Sequence, residues 1–382
     1  MFKFKVFSLL VATVLFCVPV FAFAETEIAQ DSTEIVKAKV LEIKEEYQEN
    51  IPGMLVSTTN QVLSVELLSG SQKGNIIEIQ NDYVSVDVGQ KIYINHTVLA
   101  MDDVEYFTLY DINRTKPLVG FGILFVAVIL AFGGKQGLRG LASLIGSLAL
   151  IFYILIPGLL NGFDPVMLSI GVASLIIVIG SYVTHGFNRT TTTAVIGMII
   201  TVIISGILSF LAVRMTHLTG YADENAMYLS FNIAGGVDLA GLLLGGILIG
   251  LLGTLYDASI SQAIAVEEIY DTDPSLSKKA VYKKVLRIGR EHIGALVDTL
   301  AIAYVGAALP LILLYAVSDV SFGIIINREI FATEIIRILV GSIGVILAVP
   351  ITTAIATMML VKKDGGQSSI KKTRHSHSHS HH

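Results

Sequence analysis

The sequence predicts an α-helical polytopic membrane bundle of about seven transmembrane helices, with a small all-β, OB-like domain exported ahead of it. Three observations predict this. Hydrophobic residues make up 53% of the chain and charged residues only 15%, with a mean hydropathy of +0.71, too apolar for an ordinary soluble domain. The chain changes character sharply near Lys116, from alternating polar and apolar residues to long apolar runs. Lysine and arginine then gather in every second connection between those runs. The formal net charge of −5 gives no basic surplus and argues against nucleic acid as a partner.

Residues 1–24 read as an export signal. Lys3 and Lys5 supply the positive end, 6–18 the apolar stretch, and Ala22-Phe23-Ala24 a small-x-small cleavage site before Glu25. The chain's one cysteine, Cys17, lies inside this signal, and Phe16 before it is too bulky for a lipoprotein cleavage box. A chain cut after Ala24 therefore holds no thiol, which excludes disulfides, cysteine metal ligands and cysteine catalysis together.

Residues 25–116 form the exported β domain. Alternation at period two runs through "EIVKAKVLEIKE", "QVLSVELLSG", "GNIIEIQ", "DVGQKIYIN" and "EYFTLYDI", with turn residues such as Ser69-Gly70 between them. Five short strands in this length predict a small barrel. It shows no clustered metal ligands and no nucleophile–base pair, so its expected role is a scaffold or a dock for an extracytoplasmic protein partner.

From Pro117 the apolar runs are long enough to cross a bilayer, at 117–133, 138–159, 165–183, 193–213, 238–262, 293–316 and 335–360. With the β domain outside, the cytosolic segments hold Lys135, Arg139, Arg189, the 278–290 cluster and the basic residues of 362–374. The outer loops hold chiefly Arg214, Arg328 and Arg337, a distribution that follows the positive-inside rule. Between the fifth and sixth runs, "DTDPSLSKKAVYKKVLRIGREH" predicts a cytosolic amphipathic helix at 274–290, capped by Asp273. Its apolar side is Leu276, Ala280, Val281, Val285 and Ile288, and its basic side suits anionic lipid. Residues 361–382 read as a flexible cytosolic tail whose five histidines alternate with serine, a pattern open to transition-metal chelation, to a tag or to a disordered end.

The chemistry concentrates in "GTLYDASISQAIAVEE" (253–268). At 100° per residue, Gly246, Gly250, Thr254, Asp257, Ser261, Ala265 and Glu268 share an arc of about 100°. Small residues alone would make a packing seam, but a carboxylate at bilayer depth costs ~2.5–3.5 kcal/mol, and packing does not require one. Asp257 is the one charge between Asp238 and Glu267, a stretch of ~42 Å as a helix against ~30 Å of hydrocarbon. In the next apolar run Asp298, with Thr299 beside it, falls on one face with Arg287, Glu291, Gly294 and Val305. If Asp257 and Asp298 faced each other, repulsion and desolvation would favour a shared proton. The same residues, with Ser261 and Thr299, equally offer oxygen donors to a hard cation. "THGFNRTTT" (184–192) reads as an ordered loop with a helix cap, and Asp238 as a cap for the fifth span. Pro157, Pro310 and Pro350 are expected to kink or end spans.

The runs "GGVDLAGLLLGGILIGLLGTLYDASISQAIAVEE", "RIGREHIGALVDTLAIAYVGAALPLILL" and "GFNRTTTTAVIG" together resemble the YibE/YibF family of bacterial membrane proteins, over about 117–360. The resemblance implies location in the bacterial plasma membrane and this architecture more than it implies an activity. It also implies that Asp257 outweighs Asp298, since relatives often carry asparagine at the latter position. A looser similarity links the Asp-bearing helix, basic connector and Thr-bearing helix to the proton-using core of SecD/SecF and RND-type proteins.

No HExxH, GxSxG or Walker motif occurs, and Asp298 sits in "ALVDT" rather than the GxGD of intramembrane aspartyl proteases, so an enzyme is not expected. The expected function is ion- or proton-coupled transport of a small ion or solute, with no cofactor. Asp257 is central, and Ser261, Thr254, Asp298 and Thr299 support it. The competing class is a non-transporting envelope factor whose exported domain binds a partner.

Overall fold

The computed structural model describes residues 32–50, 57–99, 104–222, 224–232 and 237–362. The expected signal with Cys17, and the His-rich tail beyond 362, lie outside these residues. The chain divides into two compact units, Met1–Val128 and Ile129–His382.

In the first unit all five expected strands form: β1 (Ser32–Asn50), β2 (Ser57–Leu67), β3 (Ile76–Asn81), β4 (Lys91–Val98) and β5 (Glu105–Ile112). They make one antiparallel sheet in the order β3-β2-β1-β4-β5. The alternating residues set the register. Val36 pairs with Ile94 and Ala38 with Ile92 on one side of β1, and Ala38 pairs with Leu67 and Val40 with Val65 on the other. All of these are buried in one apolar cluster. Irregularities between Val40 and Glu42 and between Ile43 and Glu45 bend the long β1 so that it serves two neighbours. Buried Gln61 pins the loop after β3: its Oε1 accepts the Val86 N–H at 2.9 Å, and its amide donates to the Val86 carbonyl at 3.2 Å.

The helices are α1 (Thr115–Leu150), α2 (Ile156–Leu160), α3 (Pro165–His185), α4 (Arg189–Met215) and α5 (Glu224–Asn232), followed by α6 (Leu239–Thr272). Then come α7 (Lys278–Ala307), α8 (Leu309–Ala316), α9 (Phe322–Ile325) and α10 (Glu329–Leu360). A π-helical turn, Ile151–Leu155, joins α1 to α2. Polar side chains start several of the long helices, at Asn188 and Asp238 as expected. Asp164 accepts from Met167 N at 2.7 Å, Asn188 from Thr191 N at 2.6 Å and Asp238 from Gly241 N at 2.9 Å. Small residues let the helices approach: Gly197 of α4 lies against Thr352 of α10, Gly344 of α10 against Ser205 of α4, and Gly245 of α6 against Ser169 of α3.

The span count comes out coarser than expected, and the helix after α6 differs from expectation. Among the described residues five helices are long and apolar enough to span, Thr115–Leu160, Pro165–His185, Arg189–Met215, Leu239–Thr272 and Glu329–Leu360, or six if the bent pair α7–α8 counts as one. The runs 117–133 and 138–159 belong to one helical stretch, broken where Gly134 adopts φ 50° and ψ −135°, a conformation open to glycine. A side chain at Gly137 would strike the Ile129 carbonyl, so the chain turns sharply there. The sixth run bends by 64° at the step before Pro310, as expected of that proline.

The separate amphipathic helix at 274–290 does not form. Ser277 caps a helix that begins at Lys278 and runs unbroken to Ala307. Val281 and Val285 are fully buried in the same apolar core as Ala356 and Val361. The apolar side expected of that helix faces the end of α10, where Lys278 donates to the Met358 carbonyl at 3.1 Å.

Candidate functional site

The α6 helix is ~51 Å long, and its neighbours fix its direction. Ser259 lies 3.2 Å from the Thr352 hydroxyl and Leu251 beside Gly344, so α6 runs parallel to α10. Gly250 meets the Tyr304 hydroxyl and Gln262 meets Gly289, so α6 runs antiparallel to α7. The predicted arc is the open flank of α6. Gly246, Gly250, Asp257, Ser261 and Glu268 are exposed, and a side chain added at Gly246 or Gly253 would meet nothing within 4 Å.

Asp257 and Ser261 line a cleft of about 80 Å³ in the angle between α6, α7 and α10, together with Gln262, His292 and the apolar walls Ala258, Leu296 and Val349. The floor is polar and buried. Gln262 touches Thr353 at 2.9 Å, and Thr353 touches the Val349 carbonyl at 2.6 Å. On the other side of α6, the Tyr256 ring lies 5.9 Å from that of His185, at the end of α3. Tyr182 stacks on Phe187 at 4.3 Å, and Gln136 donates to the Thr184 carbonyl at 3.1 Å. The "THGFNRTTT" loop is thus ordered, and it lies against the residue next to Asp257.

The other sequence candidates fall elsewhere. Thr254 is half-buried, and its hydroxyl returns to the Leu251 carbonyl at 3.1 Å. Thr299 does the same to Ala295 at 2.7 Å. Asp298 is exposed, and nine residues at 100° put it ~180° around α7 from Gly289. Gly289 is in contact with Val349 and Gln262. Asp298 therefore lies on the far face of α7 and does not line the cleft, so the two-carboxylate arrangement is not assembled. The face of α7 that docks is set by Val281, Val285, Gly289 and Leu300, all buried.

Sequence reasoning missed Gln262, Thr353 and His292. The signals were present: an amide inside an apolar span, and the hydroxyl pair Thr352-Thr353 following Pro350. Neither residue declares its partner without knowledge of how α6 and α10 align.

A family model described as YibE/F-like protein matches residues 121–362, which include every residue of the cleft. No curated protein sequence and no solved structure matches the chain.

Proposed function

Since the chain belongs to the YibE/F-like protein family, we propose that it is a plasma-membrane carrier that couples ion or proton movement to transport of a small solute. One observation carries this reading: the single charge between Asp238 and Glu267 sits at a cleft with a polar floor shared by three helices, not on a packed seam. A carboxylate inside an apolar span is expensive and marks ion or proton pathways. Asp257 takes up and releases the coupling ion, with Ser261 beside it. The bare glycines Gly246 and Gly253 leave room for α6 to expose the cleft alternately to the two sides. Thr254 spends its hydroxyl on the Leu251 carbonyl of its own helix, and Asp298 and Thr299 stay outside the site.

In the topology that goes with this reading, the two limbs of the broken α1–α2 stretch count separately and α7–α8 counts once. This gives seven spans, with the N-terminal domain outside and the C-terminus in the cytosol. The strand order β3-β2-β1-β4-β5 supports an OB-type barrel for the exported domain.

The test is dissipation of a pH gradient in proteoliposomes while metal ions, anions and small metabolites are added in turn. The wild type is expected to show solute-dependent proton flux, and Asp257→Asn to fall to the level of empty liposomes. Equal flux in both removes Asp257 from the mechanism. The second reading, a non-transporting factor that binds an envelope partner, is favoured by the compactness of the β unit, which has its own apolar core. Rescue of a deletion strain by that unit alone would decide for it.

A further inference from the structure

The hydrogen bonds beneath Asp257 define what the cleft can hold. Gln262 is 3% exposed and forms part of the cleft lining. The Thr353 hydroxyl lies 2.6 Å from the Val349 carbonyl and 2.9 Å from Gln262 Oε1. A threonine hydroxyl carries one proton. The Val349 carbonyl can only accept, and it is the nearer, so the proton points to it. The Thr353 oxygen is then an acceptor, and the Gln262 amide can satisfy it only with its NH₂ end. Which end of an amide faces which partner is decided by the network. With NH₂ on Thr353 both contacts are hydrogen bonds, and the Gln262 carbonyl oxygen becomes the amide end without a protein partner, at the floor of the cleft. Gly289 makes the fit: any side chain there would collide with this amide.

The cleft then offers three oxygens from adjacent turns of one helix: the Asp257 carboxylate, the Ser261 hydroxyl and the Gln262 carbonyl. Oxygen donors suit hard cations. The single carboxylate balances one positive charge, and His292 at the rim adds no negative charge, so a divalent ion would be left uncompensated in an apolar surround. Resting on the coupling reading above, we propose that the cleft binds one small hard monovalent cation, of the alkali class, through Asp257, Ser261 and Gln262.

The test is equilibrium binding of ²²Na⁺, with ⁸⁶Rb⁺ as the larger alkali probe, to the full chain in detergent. Folding of each variant is checked by size exclusion. Saturable binding at one site is expected. Asp257→Asn should abolish it, Gln262→Leu should weaken it by about tenfold or more, and Asp298→Asn on the far face should leave it unchanged. If Gln262→Leu does not fold, Thr353→Val keeps the shape, removes the group that orients the amide, and should also weaken binding. Proton flux that needs Asp257, without binding of either ion, overturns the cation site and leaves proton coupling standing. Saturable binding that is indifferent to Asp257 or to both Gln262 and Thr353 overturns the site as assigned. Absence of both binding and flux overturns the coupling reading as well.

Discussion

Asp257 and Asp238 lie on the same helix and do different work. Asp238 accepts the Gly241 N–H at 2.9 Å, one of the orphan donors that every helix start leaves open. Asp238→Ala should cost about 1 kcal/mol, seen as a lower midpoint of thermal unfolding in detergent, with flux per folded molecule retained. Asp257 makes no such cap, and its value lies in the cleft. A third carboxylate shows how local contacts tune acidity. Asp273, in the exposed connector after α6, accepts the Ser275 hydroxyl at 2.5 Å and the Ser275 N–H at 3.1 Å. The Ser275 hydroxyl, then its N–H, hold the Asp273 pKa below the ordinary carboxylate range. The folded-state value is depressed, so the stabilisation is present above the ordinary carboxylate pKa and lost as pH falls through the lowered one. Ser275→Ala should move the Asp273 titration back toward the ordinary range, measurable by ¹³C carboxyl NMR.

At the scale of elements, the five strands were legible because period-two alternation is a local property, and the cross-strand partners of Val36, Ala38 and Val40 repeat it. The loop after β3 was not legible, because its order depends on Gln61, about twenty-five positions away in sequence from Val86. Gln61→Leu would strip the Val86 N–H and carbonyl of their buried partner, at about 1–3 kcal/mol. Faster hydrogen exchange at Val86 in the full chain is the expected sign, and unchanged protection would show that the loop is held otherwise. Helix starts at Asn188 and Asp238 were legible for the same reason as the strands: a cap is a contact between near neighbours. The start of α7 was misread because Asp273-Pro274 imitates a helix start. The structure uses Ser277 instead, and the basic stretch continues into a spanning helix whose apolar side is already covered by α10.

At the scale of the whole molecule, the proposed seven-span topology makes a prediction that needs no substrate. In a Cys17→Ser background, Ser71→Cys in the β unit should react with a membrane-impermeant maleimide on intact cells. Lys284→Cys on α7 should react only after permeabilisation. The reverse pattern would invert the topology, and labelling of both sites would break it. The sequence by itself determined the kinds of element, the apolar stretches and the polar flank of α6, because hydropathy, periodicity and capping are set within a few residues. Only the tertiary structure decided the site. Docking of α7 through Val281, Val285 and Gly289 turns Asp298 away from the cleft and His292 to its rim, and the parallel alignment of α6 with α10 sets Thr353 under Gln262. Those relations depend on which faces pack across tens of residues, and small side chains such as Gly289 choose the faces by how closely they let two helices approach.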